Sequence, residues 1–296
     1  MSSYITNLYR NIVPKNFRDF IYKLFLKKVL TFFRSCPTYI KGKFYYLLSF
    51  FSSLSDEKHK AWAFIGKYGK TQYPGINSSK YNETYDIHID RDNNLPYIIH
   101  SGKRLYFPRK SNNEILNIYK SLLLEQDDNS AHQYVKSHDV FKNKILLDIG
   151  AAEGIIALEA IEIVDFVYLF ECDEIWIEAL NETFKPWKSK VEIVKKYVSD
   201  KDEDNYISLD TFMKNKTIDN LFLKMDIEGA ELDALKGASY ILDNAKGLDF
   251  SICTYHSERD QIEIPEFIKK HGYDYRFTKG YLYIDWHLRK GIIKSC

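Results

Sequence analysis

The period of apolar and polar positions changes along the chain. Leu8, Ile12, Phe17, Phe20, Ile21, Leu24, Phe25 and Leu30 recur at approximately helical spacing among cations, which predicts one or two amphipathic helices. Between residues 85 and 107 the apolar runs are short and β-like, at 85–90, 96–100 and 104–107. Asp92-Asn93-Asn94 and Ser101-Gly102 separate them, so a small meander is predicted. Ser111 and Glu114 stand at capping-box spacing, and Ile115, Leu116, Ile118, Tyr119, Leu122 and Leu123 continue as an amphipathic helix that the polar stretch 125–130 ends. After Lys144, strands predicted at 145–149, 166–171, 191–198, 220–225, 248–254, 273–278 and 281–285 alternate with helical segments. That alternation describes a largely parallel sheet covered on both faces, whose ligands bind beyond the C-terminal ends of the strands.

At 296 residues the chain has room for one catalytic domain and an extension. The pattern divides it into a basic aromatic helical arm (1–60), a meander plus helix (61–142) and a catalytic domain (143–296). Composition is that of a globular protein. Cys36, Cys172, Cys253 and Cys296 are widely spaced, which argues against a disulfide framework or zinc ribbon and for a reducing, cytoplasmic setting. The net charge of +1 hides an asymmetry: residues 1–54 hold nine Lys and Arg against the lone Asp19, a net +8 that leaves −7 for the rest. Such an arm suits an anionic membrane surface at the inner face of the membrane, a partner, or its own or a sister subunit in a homo-oligomer. Its uncharged apolar run 44–54 is short of a membrane span, and no basic stripe continues to suggest nucleic acid.

Candidate chemistry gathers at strand ends. The first strand leads into Asp148-Ile149-Gly150-Ala151-Ala152-Glu153-Gly154, a glycine-containing turn with two acids. A dinucleotide pyrophosphate wants bare N–H groups here, whereas Asp148 and Glu153 suit the ammonium and sulfonium of S-adenosylmethionine. Glu171, ending the second strand about 20 residues on, stands where an acid binds a ribose diol, and the plainer role is to cap the helix beginning near Asp173. Cys172 and Asp173 are candidates for the adenine side, and Ser199-Asp200 for the adenine amino group. Lys224, if inward-facing, requires a carboxylate partner. Asp226 and Glu228 open a helix, where the dipole favours carboxylates anyway, and Glu231 reads as an exposed acid of its first turn.

Taken in order, Asp148 to Gly154, Ser208-Leu-Asp-Thr-Phe212, Lys224-Met-Asp-Ile-Glu-Gly-Ala-Glu231 with Gly237-Ala238, and His256 resemble the FkbM-type family of methyltransferases over about residues 130–285. Ala152-Glu153 departs from the asparagine and apolar residue frequent there. The resemblance implies a Rossmann-like class I methyltransferase sheet of seven strands, the last antiparallel, to which the helices and β-meander predicted from the pattern form an N-terminal extension. It also implies O-methyl transfer from S-adenosylmethionine, frequently to a sugar hydroxyl in bacterial polysaccharides or glycosylated natural products, and the expected acceptor here is a nucleotide sugar or a surface-polysaccharide precursor.

An aliphatic hydroxyl needs a base or a metal as it attacks. His256 is the candidate base or metal ligand, Asp226 orients it or shares the metal, and Lys224 flanks them. Asp226, Glu228 and His256 are the candidate ligands of a Mg²⁺ or Mn²⁺ site, their types suiting at least Mn²⁺. His132 and Tyr134 are candidates to face the acceptor, unless the stretch 125–134 is a solvated loop. Arg104, with Lys103 and Arg109, is a candidate for a nucleotide-sugar phosphate. Two alternatives stay open: a nicotinamide-dependent oxidoreductase, and a non-catalytic scaffold in a polysaccharide assembly complex.

Overall fold

The structure, a computed structural model, describes residues 37–50 and 54–296. The helices predicted between residues 8 and 30 lie outside them. The chain divides into two units, Met1–Lys70 and Thr71–Cys296.

In the first unit, helices α1 (Pro37–Leu48) and α2 (Glu57–Tyr68) pack together. Asp56 caps α2 by accepting from His59 N at 2.9 Å. The two helices meet backbone to backbone, since a Cβ on Gly66 would stand 2.0 Å from Gly42 O. Among the described residues no helix is long and apolar enough to cross a membrane.

The second unit opens with the predicted meander, β1 (His88–Ile89), β2 (Pro96–His100) and β3 (Lys103–Tyr106). Helix α3 (Asn112–Glu125) follows, with both bonds of the Ser111–Glu114 capping box formed. Strand β4 (Ile145–Ile149) turns into α4 (Ile155–Ala160), and β5 (Phe166–Phe170) into α5 (Glu174–Phe184) and β6 (Val191–Val194). A short parallel pair, β7 (Tyr197–Val198) and β8 (Tyr206–Ile207), precedes α6 (Leu209–Met213). Then come β9 (Leu221–Met225), α7 (Glu231–Lys236), α8 (Ser239–Asn244), β10 (Asp249–Cys253) and α9 (Asp260–Lys270). The chain finishes with β11 (Tyr275–Phe277), the hairpin β12 (Leu282–Ile284) and β13 (His287–Arg289), and β14 (Ile292–Ser295).

Seven strands form one sheet in the order β11-β14-β10-β9-β4-β5-β6, with β14 antiparallel to both its neighbours and the other pairs parallel. Two strand assignments differ from the sequence reading. The run at 281–285 forms a separate hairpin, and the seventh sheet strand is Ile292–Ser295. Only two apolar residues, Ile292 and Ile293, mark that strand, too few to show a period. The run at 191–198 breaks at Lys195-Lys196 into β6 and β7, which belong to different sheets.

Alternation along β9 shows how the sheet presents two faces to two cores. Leu221, Leu223 and Met225 join Leu147, Ile149, Leu235 and Ile252 on one side. Phe222 packs with Phe141 and Leu146 on the other, the side to which Lys224 also turns. The meander is fastened to this second side through Glu159 of α4. Its carboxylate lies 2.8 Å from His100 Nε2 and 3.0 Å from His138 Nε2. Burial would raise Glu159, but the two imidazoles outweigh it and hold the carboxyl at about 2. A depressed carboxyl stabilises the fold above its unfolded pKa and loses that contribution as pH falls through the folded one. Glu159→Gln is therefore expected to lower Tm by roughly 3–6 °C at pH 6. The gap to the wild type should close as thermal melts are taken from about pH 4.5 towards 2, and a gap independent of pH would disprove the clamp.

Candidate active site

The loops after β4 and β9 touch through their backbones. Gly150, at φ +77°, lies so close to Asp226 that a Cβ there would stand 1.9 Å from the Asp226 carbonyl oxygen. Glycine is thus required twice over, by the positive φ and by the contact. Glu171, at the tip of β5, ties the turn down: one oxygen accepts from Ala152 N at 2.8 Å, the other from Cys172 N at 2.7 Å and Asp173 N at 2.8 Å.

Beneath the turn, Lys224 and Asp148 are register neighbours on β9 and β4, and alternation brings their side chains to the same face. The ammonium lies 3.0 Å from Asp148 Oδ1, donates to Gly150 O at 2.5 Å, and stands 5.2 Å from the centre of the Tyr134 ring. Burial would lower Lys224, but Asp148 and Asp226 hold its pKa above the usual lysine value. Lys224 is 4% exposed, so the carboxylate its burial requires is Asp148. The pair leaves Asp148 neutralised by Lys224 instead of open to a cationic ligand.

The same turn walls a small cavity with Glu125, Tyr134, Asp148, Ala151, Glu153 and Asp226. Burial pushes Glu153 up to about 7 and raises Glu125, to which Tyr73 donates at 2.9 Å. Four carboxyl groups against one ammonium make the cavity a place for positive charge.

Asp226, one residue beyond β9, is the hub. It accepts from Tyr134 Oη at 2.5 Å and Tyr255 Oη at 3.3 Å, and lies 3.4 Å from His132 Nε2 and 3.3 Å from His256 Nε2. Burial opposes its charge, yet His132, Lys224 and His256 prevail and hold it well below the ordinary carboxylate range. His256 follows β10, with Nδ1 2.9 Å from Glu231 Oε1. Burial would lower His256, but Glu231 first and then Asp226 raise it. Glu231 is 0% exposed, which corrects the reading of an exposed first-turn acid: the loop 226–230 turns it inward, where it also accepts from Ile227 N at 2.9 Å. Glu228 sits at φ +56° with its side chain 92% exposed, 3.6 Å from His256 Nε2. Among the described residues, ligand atoms converge within 4.8 Å in Asp226–Glu231–His256 and in His132–Asp226–Cys253.

Residues 93–275 match the family described as the methyltransferase FkbM domain, more than half of the chain. The chain belongs to the FkbM methyltransferase family. A solved FkbM methyltransferase from Methylobacillus flagellatus KT is similar at 16% identity and a TM-score of 0.43, over 63% of this chain and 56% of that one. The chain thus spans little more than half of that relative's length. Magnesium protoporphyrin IX methyltransferase from Synechocystis PCC 6803, solved with bound SAM, is similar at 12% identity and a TM-score of 0.39, over 63% of this chain and 85% of that one. No curated protein matches the chain.

The remaining candidates are engaged outside the cavity of this FkbM methyltransferase. Gly154 starts α4 at φ +71°, its missing Cβ making room for Leu180 and Phe184. Asp173 caps α5 by accepting from Ile175 N, and Cys172 beside it is pushed up to about 12 by burial and Glu171. Ser199 packs its carbonyl on Gly237 and donates to Asp200 at 3.2 Å. None of these five lines the acid-rich cavity.

The stretch at 125–134 is not a solvated loop. His132 and Tyr134 are buried in the shell of Asp226, with His132 Nε2 2.8 Å from Tyr255 Oη. Arg104 is ion-paired with Asp90 at 3.1 Å on the meander, and Arg109 with Glu178 on α5. Sequence reasoning passed over Tyr255, although it stands between a strand end and His256, and assigned no role to Glu125, which closes α3.

Proposed function

We propose that this FkbM methyltransferase transfers a methyl group from S-adenosylmethionine to a hydroxyl of a sugar, in a nucleotide sugar or a surface-polysaccharide precursor. The observation that carries the reading is the His256 imidazole held between buried Glu231 and Asp226, beside an acid-lined cavity at the glycine turn. The cavity suits a sulfonium and an ammonium and opposes a diphosphate, which argues against the nicotinamide alternative. The sugar class rests on the family resemblance. A base is what any aliphatic hydroxyl demands.

The cofactor supplies a methyl carbon already activated by its sulfonium. Glu153 and Asp226 would balance its charge, and Glu171 holds the turn against which it would lie. The cavity, at about 80 Å³, is smaller than the roughly 300–1,000 Å³ of most cofactor sites. Admitting the whole ligand inside it would require its wall of Glu125, Gln126 and Tyr134 to shift. With Nδ1 facing Glu231, Nε2, on the side of Asp226, would take the proton of the attacking hydroxyl. The imidazolium so formed lies between two carboxylates that stabilise it.

Asp226 already receives two phenol hydroxyls and faces two imidazoles, so its oxygens have little capacity left for a metal. Mass spectrometry of nucleotide sugars incubated with the protein and S-adenosylmethionine should show the gain of one CH₂, undiminished by a chelator. Cofactor binding without turnover across the panel would instead favour a scaffold, and loss of turnover with the chelator would favour a metal at Asp226.

A further inference from the structure

A second row of polar side chains lies across the outer part of the same sheet face. Register places Lys224, Ser251, Lys294 and Arg276 in one row across β9, β10, β14 and β11. Ser251 Oγ donates to Tyr134 O at 2.7 Å, so the segment carrying Tyr134 lies over the middle of that row. Beyond it opens a groove of about 750 Å³, lined by Lys136, Arg276, Lys279 and Lys294 together with Phe222 and Phe277.

The charges in this groove are out of balance. Lys294 and Arg276 stand directly opposite one another in an antiparallel pair, where like charges are destabilising. Lys294 is half-buried, and burial, then Arg276 and Lys136, push it down to about 8. Of the two lining side-chain carboxylates, Asp249 is paired with Lys144 at 3.0 Å and accepts from Ser295 Oγ at 2.8 Å, while Asp128 accepts from Gln133 at 3.1 Å, and neither pairs with a groove cation. None of Lys136, Arg276, Lys279 or Lys294 forms an ion pair among the described residues. The fold thus holds a half-buried cation among like charges with no carboxylate paired to it, which an anionic ligand would offset.

We propose that this groove binds a phosphate-class anion, a diphosphate in particular, through Lys294, Arg276 and Lys136. A diphosphate presents enough oxygens to meet three separated cations, and Arg276 is suited to take two of them side by side. The site is separate from the acid-lined cavity, and its occupancy does not depend on the methyl-transfer reading.

The test is calorimetric titration of the full chain with inorganic diphosphate at low ionic strength, repeated with sulfate and on Lys294→Met, Arg276→Met and, as a surface control, Lys269→Met. One saturable site is expected, stronger for diphosphate than for sulfate and weakened about tenfold or more by either groove substitution but not by the control. Thermal melts give a second readout. Diphosphate should raise the Tm of the wild type, whereas K294M should melt higher than the wild type without ligand and gain little from it. Absence of saturable binding, or binding that all three variants keep or lose alike, would overturn the proposal.

Discussion

Glu231→Gln is expected to lower kcat by roughly 10²- to 10⁴-fold, the range set by losing a positioned base or the carboxylate that orients it. The amide keeps the size of the side chain and removes the charge that faces His256 Nδ1 at 2.9 Å. Glu231 raises the pKa of His256, and a histidine base works only when neutral, so under the proposed role kcat should rise with pH through that pKa. Without the carboxylate the pKa falls, and the rising limb of the profile moves to lower pH. The pH dependence of kcat for the wild type, E231Q and E231D checks this. A loss of rate with the limb unmoved, or with a matching drop in Tm, would assign Glu231 to the fold alone.

Lys224→Met is the second large effect, and it falls on stability. Removing one member of a buried ion pair leaves the other charge unpartnered, at about 3–5 kcal/mol. Here Asp148 would remain at the centre of the sheet, 1% exposed, with Glu171 and Asp226 as neighbouring anions. Gly150 O would lose its donor in the same step. Denaturant melts should show K224M strongly destabilised. The double variant Lys224→Met, Asp148→Leu should recover much of the loss, because replacing both charges by apolar groups removes the unpaired one. Equal destabilisation in the single and double variants would show that the pair is not what the single substitution breaks.

Both effects concern residues that the sequence brought to notice and could not place. The Lys224 to Glu231 block is distinctive as text, and its position at a strand end follows from the apolar run before it. Lys224 turns inward because β9 alternates, and its need for a carboxylate follows from that alone. That the carboxylate is Asp148 depends on β4 and β9 being neighbours in register, a matter of strand order. For Glu231 the local pattern misled. An acid in the first turn of a helix is favoured by the dipole wherever the helix lies, so nothing in the neighbouring residues distinguished a solvated carboxylate from one buried against His256.

The sequence by itself determined the elements and their class: the alternation that makes a parallel sheet, the capped helix at Ser111, the glycine turn, and the carboxylates and histidine at strand ends. These are short-range properties, set by period, turn chemistry and capping within a few residues. Only the tertiary structure decided the pairings: Asp148 with Lys224, Glu231 with His256, Tyr134 and Tyr255 on Asp226, and Arg276 opposite Lys294. A charge or hydroxyl finds its partner through strand order and register between segments far apart in the chain, and periodicity within one segment carries no record of which segment lies beside it.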